Sequence, residues 1–279
     1  MEDWIAVWRH IPAHLSPNLL EIGSFQLRWY GLMYLAAFAC TYGLMLYRIK
    51  TEKYPYRAEL IQDYLVWAIF GVILGGRLGY VLFYNFGYYL QHPLEVFFPF
   101  DIADGFRFVG ISGMSYHGGV IGVLTASLLF LRRRGIEFWR FGDLVCPAVP
   151  LGYTFGRIGN FINGELYGRA TDVPWGMVFP NDPLHLLRHP SQLYEAFFEG
   201  IVLFAILWAV RRKSPFDGAL FAFYLIGYGA IRFCIEFFRE PDAQLGFVLG
   251  PFSMGQLLCF AMIAAGAGIY AFRRNAIRK

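Results

Sequence analysis

"LIQDYLVWAIFGVILGGRLGYVLFY", residues 60 to 84, carries only two charged residues, Asp63 and Arg77. An apolar run must reach roughly 20 residues to cross the hydrocarbon layer as a helix, and this one does. Six further runs of the same kind lie at about 26 to 47, 115 to 131, 141 to 157, 192 to 210, 217 to 238 and 252 to 272. The whole chain agrees, with 57% hydrophobic residues, 19% aromatics and a mean hydropathy of +0.44, more than an ordinary soluble domain carries. The expected fold class is an all-α polytopic membrane protein with about seven transmembrane helices.

Charge sets the orientation. Arg48, Lys50, Lys53 and Arg57 follow the first run, and Arg132, Arg133, Arg134 and Arg140 follow the third. Arg211, Arg212 and Lys213 follow the fifth, and Arg273, Arg274, Arg278 and Lys279 close the chain. These are 15 of the 24 basic residues, at every second boundary, which is the alternation of the positive-inside rule. The N-terminus is therefore expected outside and the C-terminus in the cytoplasm. The net charge of +4 then reflects loops beside anionic membrane lipids, and no nucleic-acid partner is expected.

Residues 1–21 carry Glu2 and Asp3, with no basic n-region or small-residue cleavage site. Trp4, Ile5, Trp8, Ile11 and Leu15 recur at helical spacing, the pattern of an arm lying in the outer interface; a disordered tail is the alternative. No repeat or linker divides the chain, so one domain is expected over 1–279, with outer loops at 85–114 and 158–190. Cys40, Cys146, Cys234 and Cys259 are scattered singly through apolar runs, which fits packing better than catalysis or metal binding.

Against this background the polar residues stand out. "GRIGNFINGELYG", residues 156 to 168, sets Arg157, Asn160, Asn163 and Glu165 among glycines; such groups at bilayer depth persist mainly where they line a polar cavity or grip a substrate. In "GYGAIRFCIEFFREPD", 227 to 242, Tyr228, Arg232, Glu236 and Arg239 fall on one helical face, an acid between two bases. Arg232 and Glu236 could simply neutralise each other. With Arg157 also present, two unmatched arginines point to an anionic ligand, and the planar guanidinium fork favours phosphate. Further polar stretches are Tyr30 in "RWYGLMY", Arg77 in "GGRLGYVLFYN", His117 in "SGMSYHGGVIG", and "RHPSQLYE" at 188 to 195. His117 is either a hydrogen-bonded structural group or a base near neutral pH. The glycines are on their own a packing signal.

Together these motifs resemble the prolipoprotein diacylglyceryl transferases of the bacterial inner membrane, over about residues 22 to 272. The resemblance implies a multi-pass enzyme with its active site toward the periplasmic side and no cofactor. It moves the diacylglyceryl group of phosphatidylglycerol onto the lipobox cysteine thiol of a preprolipoprotein, forming a thioether and releasing glycerol phosphate. It also implies that His117, Arg157, Arg232 and Tyr228 are catalytic, and that Tyr30, Asn160, Asn163, Glu165, Gly168, Glu236 and Arg239 bind substrate. The stretch 169–187 is shorter than the periplasmic head of some members.

The chemistry fits these residues. A thiol with a free pKa of roughly 8.5 reacts as thiolate and needs a base or a positive field; His117 can take the proton. Arg157 and Arg232 can stabilise the charge that develops on the departing phosphate. No Asp-rich cluster that would hold Mg²⁺ lies in the spans, so a metal is not expected. A transporter would show repeated halves, and an intramembrane protease a nucleophile beside a base; neither pattern is present in the sequence.

Overall fold

A computed structural model describes residues 2–22, 25–52, 54–97, 100–101, 107–108, 113–240, 247–250 and 252–278. Lys53, Lys279, parts of the 85–114 loop and residues 241–246 lie outside the described residues. The helices are α1 Glu2–His10, α2 Trp29–Thr51, α3 Ala58–Tyr84, α4 Phe86–Gln91, α5 Tyr116–Arg134, α6 Phe138–Val145, α7 Val149–Ile162, α8 Ser191–Tyr194, α9 Leu203–Val210, α10 Ala219–Ile235 and α11 Met254–Arg278. Between α8 and α9 the helix continues as a π-helical stretch, Glu195–Val202. Among the described residues, four short two-stranded ladders accompany them, the longest pairing Asn18–Ile22 with Phe25–Arg28.

Each expected apolar run contains a helix, but residues 26–28 and 252–253 are strand and α10 ends at Ile235, short of the expected 238. Among the described residues, four helices have the length and composition of membrane spans: Trp29–Thr51, Ala58–Tyr84, Ser191–Lys213 and Met254–Ile277. The run expected as one span at 141–157 is broken into α6 and α7, with Pro150 in the first turn of the second helix; there proline removes no helical hydrogen bond. Helix α7 continues to Ile162, so Arg157 and Asn160 sit inside a helix and the loop expected from 158 begins at Asn163.

The chain forms two compact units, one of residues 1–54 and 139–279, the other of residues 55–138. In the larger unit, α7 packs along α2 because Gly152 and Gly159 leave no side chain between them: a Cβ at Gly159 would lie 3.0 Å from the Tyr30 ring. At the far end of α2, Arg48 is fully buried. It donates to the carbonyls of Asp143 at 2.6 Å and Leu144 at 2.8 Å and to the Glu52 carboxylate at 2.8 Å, and Arg211 pairs with the same Glu52 at 2.7 Å. Asp143 in turn accepts from the backbone N–H groups of Gly218 and Phe221, both at 2.9 Å, at the start of α10. Arg48 and Arg211 therefore face protein partners, because a buried guanidinium must be paired. This lock fixes the helices whose other ends carry the polar groups.

The arm is helical, but Trp8, Ile11 and Leu15 pack against the cluster of Phe161, Met177 and Phe179, and Trp8 Nε1 donates to the Trp175 carbonyl at 3.0 Å. Those residues belong to the 158–190 segment, so part of the expected interfacial stripe is occupied by protein.

In the smaller unit, α3 and α5 cross at backbone contact. A Cβ at Gly75 would meet Gly122 Cα at 2.6 Å, which makes "GGRLG" and "HGGVIG" packing motifs. Arg77 donates to the carbonyls of Val96 at 2.6 Å and Glu95 at 2.7 Å, holding the segment after α4. Its role is structural. Ser115 caps α5 by accepting from Gly118 N–H at 3.2 Å, and His117, in the first turn of α5, is exposed.

Candidate active site

Three helices of the larger unit bring charge together. Helix α7 supplies Tyr153, Arg157 and Asn160; the π-helical stretch supplies Glu195 and Glu199; α10 and the turn after it supply Tyr228, Arg232, Glu236 and Arg239. Glu195 is the hub. Its Oε2 lies 2.9 Å from Arg157 Nε and 3.1 Å from Arg232 Nη1, and its Oε1 accepts from Arg239 Nη1 at 3.1 Å. Tyr153 donates to Glu199 Oε2 at 2.6 Å and lies 3.1 Å from Glu195 Oε2, while Arg157 Nε donates to the Tyr153 hydroxyl at 2.6 Å. Glu236 Oε2 lies 3.0 Å from Arg232 Nη2 and 3.7 Å from Arg239 Nε, and Ser253 Oγ donates to its Oε1 at 3.0 Å.

Not every contact is a hydrogen bond. Arg232 Nη1, Glu199 Oε1 and Glu236 Oε2 are buried with no hydrogen-bond partner, although Arg232 Nη1 sits 3.5 Å from Glu199 Oε1. A buried donor without an aligned acceptor is costly, and this one is charged.

The turn after α7 extends the site. Arg157 Nη1 donates to Asn160 Oδ1 at 3.2 Å, and the side-chain amides of Asn160 and Asn163 donate to Glu165 Oε1 at 2.9 and 3.2 Å. Leu166 holds φ +58, a left-handed conformation strained for a γ-branched side chain. The turn is clamped by the next helix, where Ser191 Oγ donates to the Leu166 carbonyl at 3.0 Å and Gln192 Nε2 to the Glu165 carbonyl at 2.7 Å. "RHPSQLYE" is thereby accounted for: Ser191 and Gln192 hold the turn, Glu195 holds the arginines, and Arg188 binds Asp182 through Nε at 2.8 Å and Nη2 at 3.0 Å. That guanidinium holds the Asp182 carboxyl down at about 2. The folded value lies below the unfolded one of about 3.9, so the pair stabilises the loop above that pH and loses its contribution as pH falls through about 2.

Gly168 enters through its backbone. It bridges to Arg239, its N–H donates to the His189 carbonyl at 2.8 Å, and a Cβ there would meet His189 backbone and side chain at 2.9 Å; its smallness lets the loop hold Arg239. Tyr30 and Tyr34 share a hydroxyl contact of 3.2 Å, and Tyr34 lies within electrostatic reach of Arg157 and Glu165. A cavity of about 320 Å³, lined by Gly164, Glu165, Leu166, Tyr167, Asn181, Arg239 and Glu240, opens beside the cluster. A larger cavity of about 490 Å³ lies at the opposite end of these helices, lined by Thr51, Glu52, Tyr54, Arg140, Arg211, Arg212 and Asp217; it is remote from the hub, and size alone does not make it the active site.

The larger unit thus gathers Arg157, Asn160, Asn163, Glu165, Arg232, Glu236 and Arg239. Tyr228 stands with its ring 6.0 Å from that of Tyr153. His117 belongs to the smaller unit. One expectation fails: Arg157 and Arg232 are not unmatched, since both reach Glu195. The sequence motifs assign no role to Tyr153, Glu195 or Glu199. Their signal was present, because two glutamates at i and i+4 inside an apolar run require cationic company.

The family model described as prolipoprotein diacylglyceryl transferase matches residues 17–272. The chain belongs to the prolipoprotein diacylglyceryl transferase family. Among curated members, it is similar to the phosphatidylglycerol–prolipoprotein diacylglyceryl transferase of Chlorobaculum tepidum, 56% identical over 99% of this chain and 96% of the relative. It is also similar to the enzymes of that name from Wolinella succinogenes, 49% identical over 91% and 92%, and Geobacter sulfurreducens, 47% identical over 91% and 93%. The polar cluster built on α7 is thus described in a chain aligned with transferases along nearly its whole length.

Proposed function

We propose that this chain transfers the diacylglyceryl group of phosphatidylglycerol to the lipobox cysteine thiol of preprolipoproteins, forming a thioether and releasing glycerol phosphate, the first step of bacterial lipoprotein maturation. Family membership supports the reaction. The observation that carries the site is the convergence of Arg157, Arg232 and Arg239 on the single carboxylate of Glu195, with Arg239 also lining the adjoining cavity. A lipid phosphate competes with that carboxylate for the same guanidinium donors, and charge building on the leaving oxygen strengthens those bonds in the transition state. Glu165, held by Asn160 and Asn163, accepts from glycerol hydroxyls; Tyr30 flanks the lipid and Tyr228 the phosphate. His117 takes the thiol proton.

The assay is thioether formation between phosphatidylglycerol vesicles and a lipobox peptide, read by mass spectrometry. No product with purified protein would sink the proposal. In the same assay His117→Gln keeps hydrogen bonding but loses proton transfer, an effect typically 10²- to 10⁴-fold. The deficit should shrink as pH approaches the thiol's own pKa, roughly 8.5, where thiolate forms unaided. Parallel pH profiles for the two proteins would remove the base assignment.

The proposed setting is the bacterial inner membrane, with one domain of seven spans, the N-terminus and arm outside, the C-terminus in the cytoplasm, and the active site toward the periplasm. The alternating basic boundaries support it. In a cysteine-free background, an impermeant thiol reagent added to intact cells should label Asp172→Cys and miss Lys213→Cys. The opposite pattern would invert the topology.

A further inference from the structure

Among the groups in direct ion-pair contact, the three guanidiniums of Arg157, Arg232 and Arg239 face the three carboxylates of Glu195, Glu199 and Glu236, with both π-stretch carboxylates fully buried, while Glu165 is held apart by the amides of Asn160 and Asn163. A phosphodiester brings one further negative charge. In a buried setting an uncompensated anion is costly enough that a group changes protonation instead. Which group does so is a question of geometry.

Glu195 is contacted by three guanidiniums and by Tyr153. Glu236 has Arg232, Arg239 and Ser253. Glu199 has least: Tyr153 donates to Oε2 at 2.6 Å, but Oε1 has no hydrogen bond, and the Arg232 nitrogen paired with it stands 3.5 Å away. The charged and titratable groups around Glu199 are Tyr153 and Arg157 on α7, Arg232 on α10, Glu195 on its own helix, and Cys259 on α11. A proton on Glu199 fits without moving a heavy atom. Its Oε2–H donates to the Tyr153 oxygen across the same 2.6 Å, and Tyr153 turns its own proton to Glu195 Oε2 at 3.1 Å.

We propose that binding of the lipid phosphodiester is coupled to uptake of one proton by Glu199, and that Tyr153 relays this proton to the departing phosphate oxygen. The inference rests on the donor assigned above. The thiol gives its proton to the base, sulfur bonds to the glycerol carbon, and the carbon–oxygen bond breaks with its electron pair on oxygen. The phosphate monoester then takes the Glu199 proton and leaves as a monoanion. Glu199 is again ionised, the base returns its proton to water, and the charge balance is restored. Glu199 acts here as a proton store, with Tyr153 between it and Arg157.

The test is calorimetric titration of the purified protein with short-chain phosphatidylglycerol, in buffers of different ionisation enthalpy at one near-neutral pH. Linkage converts the buffer dependence of the heat into protons taken up. Wild type should take up about one proton per lipid bound. Glu199→Gln, a permanently neutral stand-in, should bind at least as tightly with uptake near zero, and should lower turnover by about 10²-fold or more without raising KM. Tyr153→Phe removes the relay between Glu199 and the phosphate, so turnover should fall about as far as in Glu199→Gln. Wild-type binding without proton uptake, or undiminished uptake in Glu199→Gln, would overturn the coupling while leaving the donor assignment intact. Absence of any binding heat in wild type would overturn the donor assignment and the coupling with it.

Discussion

Glu195→Ala is expected to abolish transfer and to destabilise the larger unit by about 3–5 kcal/mol, the usual consequence of removing one partner from a buried ionic group. The carboxylate contacts Arg157, Arg232 and Arg239 from three separate segments. Without it, three guanidiniums face one another with two glutamates to balance them, and the Tyr153 hydroxyl keeps only Glu199 as an acceptor. Glu195→Gln should be milder in stability and nearly as severe in activity, because the amide keeps the volume but turns an N–H toward a guanidinium. Thermal melts in detergent, followed by size-exclusion of the soluble fraction, measure the first effect, and the lipidation assay the second. A Glu195→Ala protein that melted with wild type would mean that the arginines relax toward solvent, and the hub would then have no structural role.

The difference between what the sequence disclosed and what it hid follows from how each feature is encoded. Apolar runs of membrane length dictate helices because unpaired backbone groups are intolerable in hydrocarbon, so every run was legible. Tyr228, Arg232 and Glu236 were legible because helical spacing sets the Arg232–Glu236 contact; Arg239, expected on the same helical face, instead follows the end of α10 at Ile235 and is held by a bridge to Gly168, which helical spacing does not carry. Arg77 and Arg157 looked alike in sequence, each an arginine among glycines near the end of an apolar run. Their partners separate them: backbone carbonyls for Arg77, a buried carboxylate and a tyrosine for Arg157. Partner identity is a tertiary property that no local pattern carries.

The π-helical stretch was illegible for a related reason. Its wider turn has poor intrinsic stability and survives where tertiary contacts support it, frequently at functional sites. Here Gly200 leaves room for Thr154, whose hydroxyl donates to the Ala196 carbonyl at 3.3 Å, and the stretch presents both glutamates to the arginines. The break between α6 and α7 was hidden as well, since the apolar run 141–157 is interrupted before Arg157 by only one charged residue, Asp143. The helix start is compatible with proline, and hydropathy does not register it.

Arg157→Ala is expected to leave a folded protein whose transfer rate has dropped by at least 10²- to 10³-fold, the loss that follows removal of one preorganised donor to a developing anion. The protein should fold because Glu195 keeps Arg232 and Arg239, so no buried carboxylate is stranded. Arg157→Lys should recover little. Arg157 uses two edges of its fork at once, Nε on Tyr153 and Glu195 and Nη1 on Asn160, and a single ammonium on a flexible stem cannot meet both directions. The variant also exposes the charge balance. Arg157→Ala leaves the cluster one positive charge short, so adding Glu199→Gln should restore part of its thermal stability while restoring none of its activity. The double-mutant cycle should then show a favourable coupling in stability, of the 0.5–3 kcal/mol order seen for residues in one network. Additive melts would deny that the two side chains share one electrostatic unit, and near-normal turnover by Arg157→Ala would remove the phosphate from its proposed position.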